Sequence, residues 1–163
     1  TIGLNTIAYA DSDASREPLS AILAGLADER PVKPAVIADE DAGSTSVPAM
    51  QVRLLMDELL QNAEAAVKDT PNARIEILAR LTKASMSRKP TLSLEVADNG
   101  PGMTPEVLES AVTPFFSTKA GSHTGLGLTG CAQMVAALKG KISIASQPGK
   151  GTSVQILLPV QNA

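Results

Sequence analysis

Between Val52 and Val67 the apolar residues Val52, Leu55, Met56, Leu59, Leu60, Ala63 and Val67 recur at intervals of three and four. That period predicts a long amphipathic helix with a broad buried face, running to about Lys68. Pro48 falls near its start, where a missing N–H costs little. A second helix is expected over Arg16 to Glu29, with Leu19, Ile22, Leu23 and Leu26 on one face and Pro31 and Pro34 as stops. Arg74 to Leu81 and Thr91 to Ala97 are rich in β-formers and alternate in part. They read as two strands joined by a loop over Lys83 to Pro90. Lys141 to Ser146 and Thr152 to Leu158 form another pair about the turn Pro148 to Gly151. Ala35 to Ala38 reads as a short strand, and the acidic run Asp39 to Ser46 as an exposed loop. Further helices are expected around Pro105 to Ala111 and Gly127 to Leu138.

This mixture predicts an α/β fold, a two-layer α/β sandwich with helices on one face of a mixed, mostly antiparallel sheet. One domain is expected over residues 16–160, with a lead-in over 1–15 and a short tail over 161–163. The 163 residues suffice for one core, and 44% hydrophobic with 19% charged residues describe an ordinary globule. The longest apolar runs, such as Val154 to Val160, are far shorter than the roughly 20 residues of a membrane span, and the start lacks a signal-peptide pattern. A soluble, cytoplasmic domain without direct membrane contact is expected, in a parent protein that could itself be membrane-anchored. Cys131 and His123 are the only residues of their types, which excludes a disulfide framework and a Cys/His metal site. The formal net charge of −3 argues against nucleic-acid binding. From Ser110 onward there is no Asp or Glu, whereas Lys119, Lys139, Lys141 and Lys150 lie there. Such a block suits a polyphosphate neighbour, or is a chance asymmetry of a solvated surface.

Four stretches carry candidate chemistry. On the long helix Glu58 and Asn62 are four apart and share a face, so a carboxylate and an amide can meet one ligand. The run Asp98-Asn99-Gly100-Pro101-Gly102-Met103 ends a strand with a carboxylate that can accept from an exocyclic amine, beside glycines that allow close backbone approach. A plain hairpin turn is disfavoured there, because a proline, a glycine and a helix follow instead of a returning strand. Downstream come Pro114 to Lys119 and Thr124 to Leu128. Gly125 to Gly130 spells G-x-G-x-x-G, but lacks both the preceding strand and the later acidic residue of a dinucleotide-binding site. As a loop opening a helix, it would offer backbone N–H groups to phosphates. No P-loop is present.

Taken in this order, the stretches resemble the four sequence boxes of the GHKL ATP-binding superfamily, most closely the catalytic domain of a bacterial sensor histidine kinase. The short lid and the run Phe115 to Lys119 resemble the nitrogen-regulation and C4-dicarboxylate sensor subtypes. The resemblance implies a Bergerat-type fold that binds ATP with Mg²⁺. It assigns Asn62 to the metal, Asp98 to the adenine amino group, and Glu58 to orienting or deprotonating the nucleophile. Gly100, Gly102, Thr118, Gly125, Leu126, Gly127, Leu128 and Thr152 would line the nucleotide site, with Lys119 reaching a terminal phosphate. Phe115 and Phe116 would anchor the lid as a core plug, and His123 in the lid either touches the terminal phosphate or is exposed, the usual state of a lone loop histidine. Ala66 leaves an aliphatic pocket where some relatives carry an aromatic, and Cys131 packs as a small hydrophobe. The implied partners are the dimerisation and histidine-acceptor domain of the parent kinase, absent from this chain, and a response regulator. Alternatives are a GHKL ATPase of the MutL, gyrase or Hsp90 kind with Glu58 as base, an anti-sigma-type serine kinase, and a non-catalytic nucleotide-sensing or docking module.

Overall fold

Alternation along three strands builds the core of the sheet. A computed structural model describes residues 15–28, 30–82, 90–112 and 127–160, with the side chains of 110–112 and 127–129 excepted. Outside these fall most of the lead-in, the loop over 83–89, the tail, Phe115, Phe116, Thr118, Lys119, His123, Gly125 and Leu126. In chain order the elements are β1 (Arg16–Pro18), α1 (Leu19–Asp28), β2 (Ala35–Ala38), α2 (Glu40–Gly43), β3 (Ser46–Pro48) and α3 (Ala49–Ala66). There follow β4 (Ile75–Thr82), β5 (Thr91–Asp98), α4 (Pro105–Val112), α5 (Gly127–Ala137), β6 (Lys141–Gln147) and β7 (Gly151–Pro159).

Five strands make one sheet in the order β2-β4-β5-β7-β6, with β2 parallel to β4 and the other pairings antiparallel. Cross-strand partners share a face, so the register aligns apolar side chains into rows. Ile77, Val96, Val154 and Ile144 form one row, and Ala79, Leu94, Ile156 and Ile142 the next. On that face Ile77, Leu94 and Ile156 are wholly buried against a core that includes Leu19, Ile22 and Leu23 of α1, Leu55, Leu59 and Leu60 of α3, and Cys131, Met134 and Val135 of α5. The helices thus cover one face, as the sandwich reading expects. Each such fully buried aliphatic side chain contributes roughly 1.5–3 kcal/mol through the surface it removes from water.

Two expectations are corrected. Arg16 to Pro18 is a strand, not the first turn of a helix: it pairs antiparallel with β3, and the Arg16 guanidinium donates to the Ser46 carbonyl at 2.8 Å. The helical spacing begins only at Leu19, directly after Pro18. The acidic run is not all loop. Asp39 caps α2 by accepting from the Ala42 N–H at 2.7 Å, and Ala42 is buried beneath it.

Arg30, just beyond α1, is 10% exposed and lies against α3. It donates to both carboxylate oxygens of Glu64 at 3.3 Å, to Asp57, and to the Leu26 carbonyl at 3.3 Å. Gln61 adds a donor to Asp57 at 2.9 Å. The cluster ties the end of α1 to the part of α3 that carries Glu58 and Asn62. Removing a shielded cation strands its carboxylates, whereas removing an exposed one changes little. Arg30→Ala is therefore expected to cost about 2–4 kcal/mol in urea denaturation, and Arg53→Ala less than about 1 kcal/mol. Arg53 sits 3.6 Å from Glu17 with both side chains solvated. Equal losses in the two variants would refute the distinction.

Candidate functional site

At one end of the sheet the apolar rows give way to a polar one. Asp98, Thr152 and Ser146 are register partners across β5, β7 and β6. Parity puts them on the helix-covered face, one step beyond Val96, Val154 and Ile144. Asp98 Oδ1 accepts from the Gly100 N–H at 2.8 Å and from the Thr152 N–H at 3.3 Å. Both bonds fall on one oxygen, which fixes the carboxylate plane and leaves Oδ2 to accept from something else. Burial holds this carboxyl above its usual value of 3.8, and the two amides pull it part of the way back.

The glycines after Asp98 serve the protein's own backbone. A side chain at Gly100 would meet the Ala66 carbonyl at 2.7 Å, so the loop packs onto the last residue of α3. Gly102 has φ +75 and lies directly against the Gln147 carbonyl, where a Cβ has no room. Neither position leaves room for a Cβ, so both glycines allow the close backbone approach that the sequence suggests. Asn99 is a clamp. It accepts from the Arg74 N–H at 2.7 Å and donates to the Asn72 carbonyl at 2.8 Å, fastening the end of β5 to the segment before β4.

On α3, Glu58 and Asn62 lie one turn apart, as their spacing requires. Glu58 is only 7% exposed, and Asn62 is half-buried. The Cys131 thiol on α5 is pushed up to about 12, first by burial and then by the Glu58 charge. Such a thiol is inert at neutral pH, in keeping with Cys131 as a packing residue. Gly127 and Leu128 open α5 as expected of a loop entering a helix. Thr118, Lys119, Gly125 and Leu126 lie outside the described residues.

Among the described lysines of the basic block, Lys139 and Lys141 lie away from this end. Lys141 is paired with Leu157, five residues along β6 from Ser146, or roughly 17 Å at strand spacing. Lys139 precedes it, so both belong to the far end of the sheet. Lys150, in the turn between β6 and β7, is the described lysine of that block nearest the Asp98 end. Two residues of the site escaped sequence reasoning. Ser146 was hidden as the last residue of an alternating strand, though its parity with Ile142 and Ile144 places it on the inner face. Arg30, outside every motif, carried no local signal.

Residues 48–162 match the family described as histidine kinase-, DNA gyrase B- and HSP90-like ATPases, and the chain belongs to that family. Its relatives are sensor kinases. It is 39% identical over 118 residues to the autoinducer 2 sensor kinase/phosphatase LuxQ of Vibrio vulnificus, covering 68% of this chain and 13% of that protein. To the C4-dicarboxylate transport sensor protein DctS of Rhodobacter capsulatus it is 30% identical over 149 residues, covering 91% of this chain and 22% of that protein. The chain thus spans under a quarter of the length of either. Among solved structures it is similar to the histidine kinase domain of the Erythrobacter litoralis EL346 blue-light activated histidine kinase. There the TM-score is 0.62 at 27% identity, covering 88% of this chain and 61% of that one. The catalytic domain of histidine kinase ThkA shares the fold with a TM-score of 0.67 at 18% identity, covering 91% and 98%. Among the described residues no helix is long and apolar enough to cross a membrane.

A carboxyl whose folded value is raised favours its neutral form in the folded state. Its ionisation therefore subtracts from stability as pH rises from below 3.8 through the folded value, and the whole cost is present at neutral pH. Asp98→Asn keeps an oxygen for the two amides and removes the buried charge. It is expected to be at least as stable as the parent at pH 7, with the difference shrinking as pH falls toward 4. Denaturant titrations at both pH values check this; a variant clearly weaker at pH 7 would refute it.

Proposed function

We propose that this chain is the ATP-binding catalytic domain of a two-component sensor histidine kinase. In this reading it holds Mg-ATP and presents the γ-phosphoryl group to an acceptor histidine elsewhere in the parent protein. The observation that carries the reading is Asp98, a half-buried carboxylate fixed through one oxygen with the other left to accept. A group so placed at a strand end suits the 6-amino donor of adenine. The cost of keeping it charged suits a site selected for binding rather than stability.

Asn62 fits a magnesium ligand. Its amide oxygen is a hard donor, half-buried one turn beyond Glu58, and Mg²⁺ ordinarily takes one or two protein oxygens and completes its shell with phosphates and water. Among the described residues no group of three or more Asp, Glu, His or Cys could hold a metal ion. The bound ion would neutralise phosphate charge. Glu58, fixed on α3 by packing, would orient the incoming nucleophile. Gly127 and Leu128 would offer the start of α5 to phosphate oxygens, with Thr118, Lys119, Gly125 and Leu126 closing the site. Catalysis of this kind rests on positioning and electrostatics. The partners would be the parent's dimerising acceptor domain and a response regulator, in the cytoplasm. The sensor-kinase relatives give no support to the hydrolase, serine-kinase or docking-module alternatives.

Calorimetric titration with ADP and ATP, with and without Mg²⁺, tests the reading. Binding is expected to strengthen with Mg²⁺ and to weaken about 10- to 100-fold in Asp98→Asn, the loss of one hydrogen bond to a charged group. Asn62→Ala is expected to abolish the Mg²⁺ dependence. Mixed with an acceptor domain, the parent chain should yield phosphohistidine. Absence of nucleotide binding by the folded chain would overturn the reading, and phosphate release abolished by Glu58→Gln would favour a hydrolase.

A further inference from the structure

The Ser146 hydroxyl meets three partners. It accepts from the Met103 N–H at 2.8 Å, lies 3.0 Å from the Gly151 carbonyl, and is 2.7 Å from the Thr152 hydroxyl. A serine hydroxyl has one proton to give and two lone pairs. The Met103 amide can only donate and the Gly151 carbonyl can only accept. One arrangement satisfies all three contacts: Ser146 gives its proton to Gly151, and its remaining lone pair takes the Thr152 proton. With its own proton turned away toward Ser146, Thr152 Oγ1 can only accept in any other direction. It does so beside Asp98, its register partner, whose Oδ2 is likewise an acceptor.

We infer that Ser146 is a positioning residue for base selection. It turns Thr152 into an acceptor and so makes the strand-end row accept only, which suits a 6-amino purine and opposes a 6-oxo one. This rests on the proposed nucleotide site. It also explains why Met103 is held by β6: the same oxygen that orients Thr152 fastens the turn of Gly102, which lies against Gln147. A hydroxyl freed from Ser146 rotates and can donate, as a 6-oxo group requires.

The test compares ADP with inosine diphosphate, identical except for the 6-oxo base, by calorimetry on the whole chain. The wild type is expected to prefer ADP strongly. In Ser146→Ala the preference should narrow by about tenfold, the worth of roughly one hydrogen bond. Ser146→Ala made in a Thr152→Val background should leave the preference where Thr152→Val alone puts it, because the effect acts through the Thr152 hydroxyl. A merely structural Ser146 would weaken both nucleotides by one factor and leave their ratio unchanged. That result in a folded variant would overturn the inference, as would an equal narrowing in the Thr152→Val background. If the wild type binds neither nucleotide, the proposed site itself fails; if it binds ADP and the ratio does not move, only the role of Ser146 fails.

Discussion

The site depends on a carboxylate held through a single oxygen. Asp98 Oδ1 receives one amide from the loop that follows its own strand and another from β7, fifty-four residues further along the chain. Those amides arise from different kinds of structure, a local turn and a long-range ladder, so the orientation of Asp98 needs the sheet assembled. Burial opposes the charge and the amides offset only part of that opposition. The hydrophobic rows next to it hold a group in place that would otherwise relax toward water. This local conflict with stability is what a binding site shows when function overrides packing.

Close backbone approach supplies the rest of the frame. Gly100 sits on the end of α3, Gly102 on the end of β6, and Gly151, with φ +86, on the Asp98 carbonyl. These contacts draw the helix terminus, the loop and the β6–β7 turn around one carboxylate. The Gly149 N–H donates to the Pro101 carbonyl at 2.6 Å and closes the same ring of backbone. A Cβ at Gly102 or Gly151 would force the ring apart, so their role is architectural even if no ligand ever touches them.

Legibility in the sequence followed the range of the information. The helical period of α3 and the alternation of β4, β5 and β7 are local, and they gave these elements and most of their buried residues. The pair Glu58 and Asn62 was readable because four residues make one turn. The strand order was not readable, since a period says which face is buried but not which strand lies beside which. For the same reason β1 was absorbed into a helix: its three residues gain their conformation from β3, thirty residues on. Linear clustering of the lysines says nothing of their place in the fold, since β6 carries Lys141 and Ser146 to opposite ends of the sheet. Ser146 itself has no meaning in one dimension. It becomes a hub only when Met103 and Thr152 arrive from elsewhere.

Glu58 shows how packing constrains chemistry. It emerges from the buried side of α3, and its charge reaches Cys131 on α5, the helix that directly follows the segment of Thr118 and Lys119. A carboxylate so enclosed exchanges little with bulk water, which suits a group that meets one delivered nucleophile better than one that activates solvent at random. Asn62, one turn further on and half-buried, has the access that Glu58 lacks. Two side chains on one stripe of one helix thus differ in exposure. Glu58 and Asn62 are carried by α3, whereas the orientation of Asp98 is set by the turn and strand amides that reach its Oδ1. The two halves of the site rest on different layers of the sandwich, and α3, which packs against both α5 and β5, joins them.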